Sequence, residues 1–237
     1  MTPEDFQRLY QLQIVDARIA ECQKTIAHVD DGTDAGAELE ADQATLAELE
    51  EQLRQKQSRH RKLELDLEGV EAEKKEKSDR AYGGTISNPK ELAALEQKID
   101  ELDRNVHRHE DMILEVLEEM EELEGRTNKQ REKSEAQSAA HKSIVENFEH
   151  TTAEAREEIA DLEEAREELV AELPQQLLRP YEELRKRESG TAVALLRGGS
   201  CSECNLAVPR AKLGMIKRGV SIIKCEHCRR ILVVPGE

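Results

Sequence analysis

Apolar residues recur three and four apart over most of this chain, and that spacing predicts its architecture. Leu12, Val15, Ile19, Cys22, Ile26 and Val29 make a first run. The pattern stops at Asp30-Asp31-Gly32-Thr33-Asp34-Ala35-Gly36, where glycines and aspartates disfavour a helix interior. It resumes through Leu46, Leu49, Leu53, Lys56, His60, Leu63, Leu67 and Val70. A 3-4 alternation of this kind is the seam of a coiled coil and requires a partner helix.

The partner follows in the same chain. Tyr82-Gly83-Gly84-Thr85-Ile86-Ser87-Asn88-Pro89 is the strongest early break. Either glycine can end a helix in the left-handed conformation. Asn88 can cap the next helix, with Pro89 at its first position and Glu91 placed for a capping-box contact. At the other end Thr2, Pro3 and Asp5 form a similar start signal. The second seam runs Leu92, Leu95, Ile99, Leu102, Val106, His109, Ile113, Val116, Met120, Leu123. It turns polar at Thr127, Gln130, Ser134, Gln137 and His141, then recovers from Ile144 to Leu173. Folding back at about residue 85 sets the polar stretch against the break at 30–36, where a kink is expected, and sets His60 opposite His109.

Pro174 and Pro180 predict the end of the second long helix, and a short helix from Gln175 to Glu188 is expected after it. Short β-rich runs then appear at Ala192–Leu196, Val220–Ile223 and Ile231–Val234. The predicted fold is mainly α: an antiparallel coiled-coil hairpin over 1–174 with its turn at 82–89, a connecting helix over 175–190, and a small β-rich ribbon over 191–237.

Composition fits long helices better than a globular core. Charged residues make up 37% of the chain, with no Trp, two Phe and three Tyr. The net charge of −17 is divided, because residues 189–237 carry a formal +5 and the remainder −22. An acidic helical region should repel nucleic acid, so any such binding is confined to the basic end. No run is apolar enough to cross a membrane, and the N-terminus has no signal-peptide pattern, so a cytoplasmic location is expected.

Candidate chemistry is concentrated at the C-terminal end. Cys201-Ser202-Glu203-Cys204 and Cys225-Glu226-His227-Cys228 form two Cys-x-x-Cys turns separated by twenty residues. Two such turns supply four sulfurs in a tetrahedron, the preferred setting of one structural Zn²⁺ with no open coordination position. Two disulfides or a redox dithiol are the alternatives, and cytosolic usage and the duplicated turns weigh against both. A segment this short with few large apolar residues also needs metal to complete its core.

The segments around these cysteines resemble those of the bacterial four-cysteine zinc-ribbon proteins that carry an N-terminal coiled coil. The similarity rests on Ile223 to Leu232, Cys201 to Pro209, Ser87 to Leu92 and Tyr181 to Lys186. Glu226 stands where the family often has Pro, and Arg229 where it usually has Gly. If that position requires positive φ, Arg costs about 1 kcal/mol there. The resemblance implies a non-enzymatic adaptor that binds flagellar or type III secretion export components and an alternative sigma factor of the nitrogen class. Binding of a messenger RNA is also implied.

Other features favour a binding protein. Cys22 lies on the seam and is expected to be a core thiol. A metal site joining His60 and His109 is the less ordinary account of two polar seam positions. The aspartates at 30–36 lack a calcium-loop pattern, with Ala41 where a bidentate Glu belongs. No phosphate loop or nucleophile elbow is present. Partner contacts are expected at Arg210, Lys212, Lys217, Arg218, Arg229 and Arg230. They could meet an acidic protein surface or, as the alternative function, nucleic-acid phosphates. The lack of aromatic residues in the ribbon counts against base stacking. Neither a membrane nor a small-molecule substrate is expected as a partner.

Overall fold

The computed structural model describes residues 1–84, 86–187, 190–219 and 221–235. Thr85, the expected point of fold-back, lies outside the described residues, as do Glu188 at the end of the expected short helix and Val220 at the start of an expected strand. Four helices come first: α1 (Pro3–His28), α2 (Thr33–Tyr82), α3 (Pro89–Glu172) and α4 (Gln175–Arg187). They are followed by β1 (Val193–Arg197), β2 (Ser200–Cys201), α5 (Arg210–Arg218) and β3 (Ile231–Val233). The long helices form the expected antiparallel hairpin. The chain divides into two compact units, Met1–Asp31 with Ile144–Glu237, and Gly32–Ser143.

Local signals start the helices where the sequence places them. Thr2 and Asp5 form a reciprocal capping box at α1, with Pro3 at its first position. Asn88 Oδ1 accepts from the Lys90 amide at 3.0 Å and so caps α3. Glu91 is not part of a capping box, because its carboxylate pairs with Arg80 at 2.8 Å. The break at 30–36 is shorter than expected. Helix α1 ends at His28 and α2 begins at Thr33, so Gly36 is helical, and α3 runs on without interruption. Helix α3 stops before Pro174, whereas Pro180 lies inside α4 rather than ending a helix.

In the unit Gly32–Ser143, α2 and the first part of α3 are zipped by Leu49, Leu102, Val106, Val116 and Leu123. Lys56 pairs with Glu119, and Lys74 with Asp103. Those residue numbers add to about 176, so the fold-back centre lies near 88 rather than 85. The shift separates His60 from His109. His60 faces Glu64 of its own helix, and His109 Nδ1 meets the Asn105 carbonyl oxygen at 2.8 Å. The break and the polar seam still meet, since a Cβ on Gly36 would lie 3.2 Å from His141 Nε2. Asp42 is buried here and accepts from Gln130 at 3.0 Å and Lys133 at 2.8 Å. Thr127 is 1% exposed, and its hydroxyl has no hydrogen-bond partner among the described residues.

In the other unit, Phe6, Leu9 and Leu12 of α1 share one core with Leu173 and with Leu177, Tyr181 and Leu184 of α4. Ala192, Val193, Ile231 and Val233 complete it from the sheet. The sheet has order β2-β1-β3, antiparallel between β1 and β2 and parallel between β1 and β3. Gly198 and Gly199, both at positive φ, make the two-residue turn that joins β1 to β2. Ile222 and Ile223 are outside any strand, and Lys224 makes only an isolated bridge to Ile231.

Two polar residues of α1 hold this unit together. Gln13 Oε1 accepts from the amides of Ala192 at 2.5 Å and Val193 at 3.2 Å, while its Nε2 donates to the Gly190 carbonyl at 2.9 Å. Asp16, with a side chain 2% exposed, accepts from Tyr181 at 2.5 Å, Arg166 at 2.8 Å and Arg185 at 3.1 Å. Burial first, and then the Asp16 carboxylate, push the Tyr181 phenol well above its ordinary pKa. It therefore remains a hydrogen-bond donor.

Asp16→Ala strands the buried Tyr181 hydroxyl but leaves both arginines partly solvated and beside Glu182. The expected loss is about 2–3 kcal/mol of unfolding free energy, checked by urea denaturation with metal saturated. Thr127→Val should act the other way. It removes an unpaired buried hydroxyl at nearly constant volume and should raise stability by about 1 kcal/mol in the same measurement.

Candidate metal centre

The two Cys-x-x-Cys turns have the same backbone design. In the first, the Asn205 amide donates to the Cys201 carbonyl at 2.9 Å and the Cys201 amide to the Leu206 carbonyl at 3.0 Å. In the second, the Arg229 amide donates to the Cys225 carbonyl at 3.0 Å and the Cys225 amide to the Arg230 carbonyl at 2.8 Å. The residue after each second cysteine is left-handed, Asn205 at φ 58° and Arg229 at φ 62°. Asn tolerates that conformation; Arg holds it at a cost of about 1 kcal/mol relative to Gly.

These turns bring the four sulfurs together. Cys201 and Cys228 are 3.7 Å apart at Sγ, as are Cys204 and Cys225. All four ligand atoms lie within 4.8 Å of one another. Such spacings are too long for disulfides, and all four cysteines are free. A tetrahedron with metal–sulfur bonds of about 2.3 Å has an S···S edge of about 3.8 Å. The donor set therefore fits one metal ion held by sulfur alone.

Burial and amide donors act in opposite directions on these thiols. Burial pushes Cys201 up to about 12. Burial acts upward on Cys225 too, but the amides of Cys228 and His227 outweigh it and bring that thiol down to about 7. Around the cluster, Ala194, Leu196, Val208, Ile216 and Leu232 form a compact apolar shell with Cys201 and Cys225.

The ribbon's basic residues have different surroundings. Arg210, Lys217 and Arg218 are exposed on α5, a helix not expected from the apolar pattern although Pro209 before it and Gly219 after it are boundary signals. Gly219 is left-handed, and a Cβ on it would lie 2.8 Å from Pro3 Cα, so α5 ends hard against the start of α1. Lys212 pairs with Glu226 at 2.7 Å. Arg230 Nε donates to the Thr191 carbonyl at 3.0 Å, while Arg229 is exposed. Cys22 is buried, and its pKa is raised first by burial and then by Glu158, as suits a core thiol. Gln13, Asp16 and Arg166, which hold the sheet and α4 to α1, are not legible in the sequence because polar residues on a helix read as surface.

A helical hairpin carrying a small sheet and a four-cysteine cluster defines the structural class. Residues 12–189 match the CT398-like coiled coil hairpin domain, and the chain belongs to that family. An uncharacterised protein of Mycobacterium tuberculosis (strain H37Rv) is 28% identical over 156 residues. That alignment covers 62% of this chain and 60% of the relative, so the chain spans less than two thirds of the relative's length. Three solved structures share the fold. The structure from Mycobacterium smegmatis is 21% identical with a TM-score of 0.62, covering 99% of this chain and 100% of that one. CT398 from Chlamydia trachomatis is 19% identical with a TM-score of 0.53, covering 98% of both chains. The HP0958 protein of Helicobacter pylori is 17% identical with a TM-score of 0.53, covering 100% of this chain and 99% of that one. Among the described residues, no helix is long and apolar enough to cross a membrane.

Cys201→Ser and Cys228→Ser should each abolish stoichiometric metal binding, whereas Cys22→Ser should leave one ion per chain, as measured by native mass spectrometry. Because binding displaces thiol protons, metal affinity should fall progressively as pH is lowered from alkaline values, as measured by competition with a chelator.

Proposed function

We propose that this protein is a non-enzymatic, zinc-binding adaptor that engages protein partners through its helical hairpin and its ribbon. The observation that carries the reading is the all-sulfur cluster, which packs with β1, β3 and Ile216 of α5, a helix whose other positions carry exposed cations. Four thiolates suit Zn²⁺ and leave it no open position, which favours a structural over a catalytic role. On α5, Arg210, Lys217 and Arg218 lie exposed with Met215, and Leu206 is exposed nearby in sequence. Cations mixed with flexible apolar side chains suit a protein interface. The exposed flanks of the hairpin offer helical docking surfaces. A cytoplasmic setting agrees with five free cysteines.

The partners implied by the four-cysteine zinc-ribbon resemblance are components of flagellar or type III secretion export and an alternative sigma factor. They are the first to test. Zinc-loaded protein should recover a stoichiometric protein partner from a native lysate, and the recovery should survive nuclease. Charge reversal at Arg210, Lys217 and Arg218 should reduce it. Recovery that disappears with nuclease would overturn the adaptor role in favour of nucleic-acid binding through the ribbon.

A further inference from the structure

We propose that the cleft between α4 and the second cysteine turn is a docking site for an acidic segment of a partner protein. The proposal rests on the adaptor role and gives it a partner chemistry. The cleft has a volume of about 430 Å³. Glu183, Leu184 and Arg187 line it from α4, and Lys224, Glu226 and Arg229 from the ribbon. Arg187, Lys224 and Arg229 are exposed, and none has an acidic partner among the described residues. Glu226 is already held by Lys212 at 2.7 Å, so on the rim three cations face one carboxylate unpaired among the described residues, Glu183, while the Cys225 sulfur lines the cleft beside them.

Backbone strain is the second observation. Arg229 sits at φ 62° in a turn whose counterpart carries Asn205, a residue that tolerates this conformation. Glycine would relieve the strain at Arg229 without disturbing the turn. A side chain kept at a strained position beside a cleft points to a role for the guanidinium rather than for the fold.

The rim selects among anions. Glu183 interrupts the cations and disfavours a continuous phosphate backbone, and among the described residues no aromatic ring lines the cleft for a base to stack on. Separated carboxylates on a peptide can instead meet each cation in turn, with an arginine fork gripping one of them in bidentate fashion. Leu184, 7% exposed, gives an apolar floor for a neighbouring side chain.

The test uses the zinc-loaded full chain as bait for short random peptides displayed on phage. Enriched peptides should carry paired acidic residues, and fluorescein-labelled synthetic copies should bind by anisotropy. Arg229→Gly should weaken that binding about tenfold or more while zinc content holds and the melting temperature stays level or rises. Arg187→Ala combined with Lys224→Ala should weaken it as well. Enrichment of nothing, enrichment of peptides without acidic residues, or unchanged binding in Arg229→Gly would overturn the proposal. So would displacement of the peptide by an equal concentration of oligouridylate. A lysate partner that Arg229→Gly still captures would remove the cleft assignment and leave the adaptor role standing. Capture of no protein by the wild type would remove the adaptor role itself.

Discussion

The parallel pair β1 and β3 is buried on both faces, and the unit Met1–Asp31 with Ile144–Glu237 depends on that condition. Val193, Ile231 and Val233 enter the core made with α1 and α4. Ala194, Leu196 and Leu232 enter the core around the four cysteines. Alternation along a strand separates two layers while both stay dry. The ribbon is too small to stabilise itself, so its order draws on the hairpin side and on the metal side together. A structural zinc site of the kind proposed would contribute about 10 kcal/mol or more to folding, and these strands would carry that stabilisation to the surface on which α1 and α4 rest.

The attachment of sheet and α4 to α1 is polar as well as apolar, and the polar part sets the geometry. Gln13 satisfies three backbone groups near the start of β1 with one side chain. Asp16 gathers a phenol and two guanidinium groups drawn from α3 and α4. Apolar packing alone would tolerate sliding; directional bonds at buried positions do not. The seam around Asp42 in the other unit is different. Gln130 and Lys133 pair with Asp42, yet its second oxygen and the Thr127 hydroxyl are left without partners among the described residues. Such a layer favours one register of α2 against α3 at a cost in stability.

What could be read from the sequence was what local chemistry encodes. The cysteine pairs, the cap at Thr2, the Asn88-Pro89 start and the seams from Leu46 and Leu92 need only nearby residues to be recognised. Features decided by tertiary contact were hidden. Gln13 and Asp16 look like surface positions until α4 and the sheet cover them. The displacement of the hairpin centre from 85 to about 88 depends on which charged pairs close across it, and seam periodicity cannot count turn residues. Pro180 is the sixth residue of α4, past the amides a helix leaves unbonded, so α4 gives up one internal hydrogen bond there and is held in place by the buried Leu177, Leu178, Tyr181 and Leu184. Ile222 and Ile223 carry strand propensity but are recruited as packing residues against the two cores.

The charge division also follows from this arrangement. The ribbon region's formal +5 falls to +3 once four thiolates hold a divalent ion. Within it, Lys212 is paired with Glu226, and Arg230 bonds a backbone carbonyl. What remains is a modest field, far outweighed by the −22 of the other residues. Long-range attraction of a polyanion is therefore weak, and any anionic partner must be recognised at close range by individual side chains. Short-range recognition depends on shape and fixed geometry more than on net charge. A cation anchored on a hydrogen-bonded cysteine turn that a metal would hold rigid provides that geometry, and one carried on a long flexible loop does not.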